Sequence, residues 1–174
     1  MTLSSLATYL GLFGFFSLSL ACAVTDAQRL KIPNSFTLLI ALLYPIFVMS
    51  APFPVDWISG LAVGAGILAI GFLIFAGGLI GAGDVKFLAA AGLWAGLAHL
   101  STLILVTAIA GGVLGLGYLV ADRLRRIPWM PLPPPEITEK DGKKRMIFLP
   151  YGIAICAGAV TVAYRLTLEV GLAQ

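Results

Sequence analysis

The sequence predicts an all-α fold, a polytopic membrane helix bundle of about six transmembrane segments. Hydrophobic residues make up 60% of the 174 residues and charged residues only 11%, whereas a soluble domain carries about 25% charged residues. The mean hydropathy is +1.02. Long apolar runs with hardly a charge recur, and about 20 apolar residues suffice to cross a bilayer. Because the connecting segments are short, residues 1–174 are expected to form a single integral membrane domain.

Apolar runs and the breakers between them define the candidate spans. The first run ends in Leu20-Ala21-Cys22-Ala23, which looks like a signal-peptide cleavage site, but Met1 to Ser5 contains no Lys or Arg. A retained first span is therefore expected. The predicted spans lie near 5–24, 36–52, 57–80, 87–98, 100–121 and 149–168.

Residues 87–121 could form one long tilted helix or two segments joined near His99-Leu100-Ser101. Basic residues favour two segments, because ten of the 11 then lie on one side of the membrane. By the positive-inside rule that side is the cytoplasm, and both termini lie outside it. The basic loop 122–148 is then cytoplasmic, and its proline run, Pro131 to Pro135, is expected to be a stiff connector.

The residue types available for chemistry are few. The chain has two cysteines and one histidine, so it cannot build a disulfide framework or a Cys/His zinc cluster. We expect no metal and no cofactor. The net charge of +3 is too small to indicate nucleic acid binding, and membrane lipid is the expected surrounding. Any chemistry must use carboxylates, hydroxyls or lysines.

Two of the eight acidic residues stand out by position. Asp26 ends the first span, and Asp84 follows Gly81-Ala82-Gly83 between two apolar runs. The predicted topology places both at the cytoplasmic ends of spans, at similar depth, so that they can form a pair. Simpler interpretations stay open: Asp26 as a solvated helix-end charge beside the basic residues that follow it, and Asp84 as a loop carboxylate paired with Lys86.

Paired carboxylates can perform acid–base chemistry without a metal. Two carboxylates a few ångströms apart do not both ionise, so one keeps its proton. The ionised member then takes a proton from water while the other donates to the substrate carbonyl oxygen. Which of Asp26 and Asp84 does which is not assigned, because such a pair titrates as a unit. Gly81 and Gly83 lack side chains and would let a substrate backbone approach.

Three segments together resemble the type IV prepilin peptidases, the bacterial Gly-x-Gly-Asp intramembrane aspartic proteases. The first is Asp26 followed by Arg29 and Ile32-Pro33-Asn34. The second is Gly81-x-Gly83-Asp84-Val85-Lys86. The third, Leu149-Pro150-Tyr151-Gly152, opens the last span and resembles the Pro-aromatic-Gly element of that family. The resemblance covers the layout of the whole chain.

The resemblance implies that Asp26 and Asp84 are the catalytic residues of an aspartic-type endopeptidase, a hydrolase. Its substrates would be prepilins or pilin-like proteins, cut at the cytoplasmic face of the bacterial inner membrane. Larger members carry an N-terminal cytoplasmic loop with paired Cys-x-x-Cys motifs and methylate the new pilin terminus. Here only Leu30 to Ser35 separates the first two spans. The chain therefore resembles the small branch that serves tight-adherence (Flp-type) pili.

Other functions are compatible with the same residues. A small transporter or channel would use the aspartates to bind protons or cations, but such carboxylates are expected near the middle of spans. A non-catalytic assembly subunit would tolerate the loss of either aspartate. A presenilin-like protease would carry a Tyr-Asp pair and a later Pro-Ala-Leu, whereas here Thr25 precedes Asp26.

Overall fold

The computed structural model describes residues 3–125 and 149–173, and within them it contains helices and no strand. The all-α prediction is confirmed. Residues 122–125, predicted to begin the long loop, form the last turn of a helix, and residues 126–148 lie outside the described part of the chain. The five helices are α1 (Leu3–Arg29), α2 (Asn34–Ser50), α3 (Trp57–Ala76), α4 (Ala82–Arg125) and α5 (Gly152–Leu172).

Four of these helices are long and apolar enough to cross a bilayer. They are α1, α3, residues 82–121 of α4, and α5, while α2 is a shorter apolar helix. Large apolar side chains such as Phe13, Phe72 and Leu116 point outward, as expected of helices that face lipid. The described residues form a membrane helix bundle, as predicted.

Helix α4 has two arms that meet at Gly96. This glycine has φ 53° and ψ −166°, outside the helical region, and we name the arms α4a (residues 82–95) and α4b (residues 97–125). At the start of α4a, Gly83 lies against Ile32, just past the end of α1. Near its end, Trp94 stacks on Phe15 in the middle of α1. Arm α4a therefore runs antiparallel to α1.

Arm α4b runs antiparallel to α5. Near its beginning, His99 Nε2 lies 3.1 Å from Glu169 Oε1, close to the C-terminal end of α5. Further along, Gly111 packs against Tyr151, the residue before α5 begins.

Helix α5 in turn runs antiparallel to α1. Its first residue, Gly152, contacts Asp26 in the last turn of α1, and Tyr164 lines the same groove as Tyr9. Arm α4b is therefore parallel to α1, and the chain reverses direction at Gly96. The sequence placed this join near residues 99–101. It lies at Gly96 because glycine adopts the required positive φ without steric cost.

The reversal at Gly96 exposes backbone groups that lipid cannot satisfy. The side chain of Ser59, at the start of α3, meets this need: its Oγ accepts a long hydrogen bond, 3.4 Å, from the Leu97 N–H. A Cβ on Gly96 would lie 3.0 Å from the same oxygen. The tight turn therefore depends on both the glycine and the adjacent serine.

Trp94 is the centre of the core. Its ring stacks on Phe15 at 4.5 Å between centroids and contacts Tyr44 and Phe47 at 5.7 and 5.2 Å. The indole N–H donates to the Ile40 carbonyl oxygen at 2.9 Å, which satisfies the polar group of a buried tryptophan. These contacts join α1, α2 and α4a and fix the relative positions of the helix ends described next.

Candidate active site

Several helix termini lie at one end of the bundle, among them the end of α1 and the starts of α2, α4a and α5. We call this the aspartate end, because Asp26 and Asp84 both lie there. A side-chain hydrogen bond from Lys86 Nζ to Asn34 Oδ1, 3.0 Å long, ties α4a to α2. The reversal at Gly96 returns α4b to the same end.

Asp26 lies in the last turn of α1 and is only 6% exposed. Its Oδ2 accepts the backbone N–H of Gly152 at 2.7 Å. This N–H belongs to the first residue of α5 and therefore has no acceptor within that helix, and a helix N-terminus favours a nearby negative charge. A Cβ on Gly152 would lie 2.8 Å from the same oxygen, so glycine is what allows this close approach.

The surroundings of Asp26 differ from those of a solvated helix-end charge. The nearby Arg29 and Lys31 are exposed, and in the described residues neither forms an ion pair with Asp26. The buried carboxylate is instead bound by α5. The sequence pointed to Gly152 only through the Pro-Tyr-Gly element, and nothing in that element indicates a contact with Asp26.

Asp84 lies in the first turn of α4a and is half-buried. Its carboxylate accepts the backbone N–H of Gly81, three residues earlier. A Cβ on Gly81 would lie 2.9 Å from Asp84 Oδ2. The alternative pairing with Lys86 is not observed, because the Lys86 ammonium group binds Asn34. Asp84 is therefore held by its own turn.

The structure brings the carboxyl groups of Asp26 and Asp84 within electrostatic range of each other. Each accepts a backbone N–H from a different glycine. In the described part of the chain, no hydrogen bond joins the two side chains directly. The arrangement is a pair of separately anchored carboxyls, one buried and one more accessible.

The two glycines before Asp84 have different surroundings. Gly81 is exposed, which leaves its backbone open to an approaching chain. Gly83 is half-buried, and a Cβ there would lie 3.2 Å from Ile32 Cβ. Gly83 therefore allows α4a to pack against the connection between α1 and α2, a use that the sequence did not indicate.

In the described residues, the side chains that could bind a metal ion do not form a cluster. Across residues 3–125 and 149–173, no group of three or more His, Cys, Asp and Glu side chains could hold a metal ion. Cys22 and Cys156 are free and buried.

A sequence model of the type IV leader peptidase family matches residues 13–116. The chain belongs to the type IV leader peptidase family. The matched range includes both aspartates and the glycines before Asp84, and it ends before α5 begins. Comparisons with curated proteins and with solved structures gave no match. The resemblance noted from the sequence is thus confirmed at the level of the family, which consists of membrane peptidases and implies pilin-like substrates.

Proposed function

We propose that this leader peptidase is an aspartic endopeptidase that removes the leader of type IV or Flp-type prepilins, with Asp26 and Asp84 as its catalytic residues. The observation that carries the proposal is that these two carboxyls lie within electrostatic range of each other at one end of an apolar helix bundle. Carboxylates are rare in such surroundings, where burial without a partner is costly. The presence of two such carboxyls at the same end of the bundle therefore favours a functional role for both.

The proposed reaction is peptide hydrolysis by activated water. The ionised carboxylate removes a proton from a water molecule as its oxygen attacks the scissile carbonyl carbon. The protonated carboxyl donates to the carbonyl oxygen. Collapse of the tetrahedral intermediate breaks the C–N bond: the leaving nitrogen takes the proton that the base received, and one hydroxyl of the intermediate returns its proton to the carboxylate that had donated one as the carbonyl re-forms. The separate N–H donors from Gly152 and Gly81 keep the two carboxyls oriented through these steps.

The proposed location of the reaction is the cytoplasmic face of the bacterial inner membrane. Basic side chains at the aspartate end support this orientation: Arg29, Lys31 and Lys86 are all exposed there, as the positive-inside rule expects of the cytoplasmic side. The beginning of α1 and the end of α5 lie at the opposite end of the bundle. Both termini are then outside the cytoplasm.

The proposed substrate geometry follows from this placement. A pilin precursor carries a short leader before an apolar helix, so the bond to be cut lies where that helix leaves the membrane. Asp26 and Asp84 lie at the corresponding ends of α1 and α4a. The exposed Gly81 backbone is the surface on which the cleavage segment would bind, with the pilin helix alongside the bundle in lipid.

The test compares Asp26→Asn and Asp84→Asn with Asp56→Asn in purified protein reconstituted into liposomes with a Flp-type prepilin. Asn keeps the size of the side chain but cannot exchange the proton, and we expect each site variant to lose at least about 10³-fold in cleavage rate. Asp56 is the matched control, because it caps α3 through the Ser59 N–H at 3.0 Å and Asn caps helices equally well.

Cleavage by either site variant at a rate near that of the control would refute the proposal. A transporter or channel remains the alternative function. It would show ion flux into the liposomes that depends on the aspartates and no cleavage by the unmodified protein.

A further inference from the structure

Gly111 on α4b receives the ring of Tyr151. A Cβ at this glycine would lie 2.6 Å from Tyr151 Oη and 2.7 Å from both Cζ and Cε2. Three neighbouring glycines of the same arm, Gly112, Gly115 and Gly117, have nothing within 4 Å of such an atom. The contact is therefore specific to one position of a glycine-rich helix.

Tyr151 lies directly before Gly152, the residue that binds Asp26. A tight turn fixes the ring relative to that N–H: the Tyr151 N–H donates to the Leu149 carbonyl oxygen at 2.8 Å, and the Ile155 N–H donates to the Tyr151 carbonyl oxygen at 3.1 Å. The contact between the Tyr151 ring and α4b thus fixes the position of the first turn of α5.

A second glycine holds α5 against the same arm further along. A Cβ on Gly158 would lie 2.8 Å from the Leu103 carbonyl oxygen. The start of α5 is therefore seated on α4b at two places, Gly158 and the Tyr151 ring. Of these two contacts, only that of the Tyr151 ring is adjacent to the N–H that binds Asp26.

We propose that Tyr151, seated on Gly111, is a positioning residue that sets the Gly152 N–H against Asp26. Arm α4b would then control the geometry of the carboxyl pair although it carries neither aspartate. The proposal rests on the proposed function, since it assigns a role within that site. It goes beyond packing, because a packing contact alone affects the amount of folded protein and leaves turnover per folded molecule unchanged.

The first experiment compares Gly111→Ala with Gly112→Ala in the liposome cleavage assay. Both changes gain the same helix propensity, but only the first places a methyl group where the ring lies. A misplacement of about 1 Å can cost about 100-fold in rate. We expect Gly111→Ala to lower kcat by about 10- to 100-fold with KM little changed, and Gly112→Ala to retain both values. Rates are normalised to folded enzyme measured by thermal unfolding.

The second experiment is a double-mutant cycle with Tyr151→Leu. This variant removes atoms from the contact, so it tests the same link even where Gly111→Ala lowers the yield of folded enzyme. We expect Tyr151→Leu to lower kcat as well. The double variant should be no slower than Tyr151→Leu alone, because the ring that the methyl group displaces is then absent.

Equal kcat values for the two alanine variants, or losses that multiply in the double variant, would overturn the positioning role. Asp84→Asn, assayed in parallel, separates this outcome from failure of the proposed function. If Asp84→Asn still cleaves, the proposed function fails. If it is inactive while Gly111→Ala matches Gly112→Ala, only the positioning role fails.

Discussion

The two aspartates are held in different ways, although they lie at the same end of the bundle. Asp26 is buried and accepts its hydrogen bond from Gly152, 126 residues away along the chain. Asp84 is half-buried and accepts the N–H of Gly81, in its own turn. The position of one carboxyl therefore depends on the docking of α5, and the position of the other depends on local backbone geometry. A disturbance of helix packing should affect Asp26 first.

Gly152→Ala should have the largest effect among changes at the glycines that bind the pair. The added Cβ would lie 2.8 Å from Asp26 Oδ2 and 2.9 Å from Asp26 Cβ, and the second of these atoms cannot swing aside. We expect kcat to fall by about 100-fold or more. Gly171→Ala, in open space on the same helix, is the matched control. Cleavage by Gly152→Ala within twofold of this control would show that Asp26 does not need the close approach of α5.

Gly81→Ala should have a smaller effect. The added Cβ would meet Asp84 at Oδ2, 2.9 Å away, which is the free end of a half-exposed side chain that can rotate. We expect kcat to fall by about 3- to 10-fold, since the side chain recovers much of its orientation. Gly66→Ala, which meets nothing within 4 Å, gives the baseline for an added methyl group. A loss equal to that of Gly152→Ala would remove the distinction between the two anchors.

Glu169→Gln should have the smallest effect, because it changes the end of the bundle that holds neither aspartate. Glu169 pairs with His99 at 3.1 Å, and its side chain is 45% exposed. Even between fully charged groups, a contact of this exposure contributes about 1 kcal/mol or less. We expect unchanged cleavage and at most a slightly lower unfolding temperature, measured by thermal unfolding in detergent. A clear loss of cleavage would show that the two ends of the bundle are coupled.

The fold class and the convergence of the two acids at one end could be predicted because both follow from local composition. Apolar runs predict the spans, and the distribution of basic residues predicts which span ends share one side of the bundle. The structure brings Asp26 and Asp84 within electrostatic range, as that pattern predicts, while their catalytic role stays a prediction. The membrane bundle and the peptidase family are confirmed.

Features that depend on contacts between distant segments could not be predicted. The reversal lies at Gly96 and not at residues 99–101, because a positive φ is needed and the Ser59 hydroxyl of another helix satisfies the turn. The burial of Asp26 requires α5 to begin with a glycine that lies beside α1. Gly83 likewise packs against Ile32, a contact that no spacing within residues 81–86 reveals.

The reversal at Gly96 also has a consequence for the order in which the protein is made. Arm α4a has about 14 residues and is about 21 Å long, shorter than the roughly 30 Å hydrocarbon core. A turn within that core is tolerated only where other protein encloses it. Gly96 lies against Ser59 and Gly60, and the nearby Trp94 packs on Phe15 and Phe47, in helices that all precede α4 in the chain. The ribosome therefore synthesises the helices that cover this turn before it synthesises the turn.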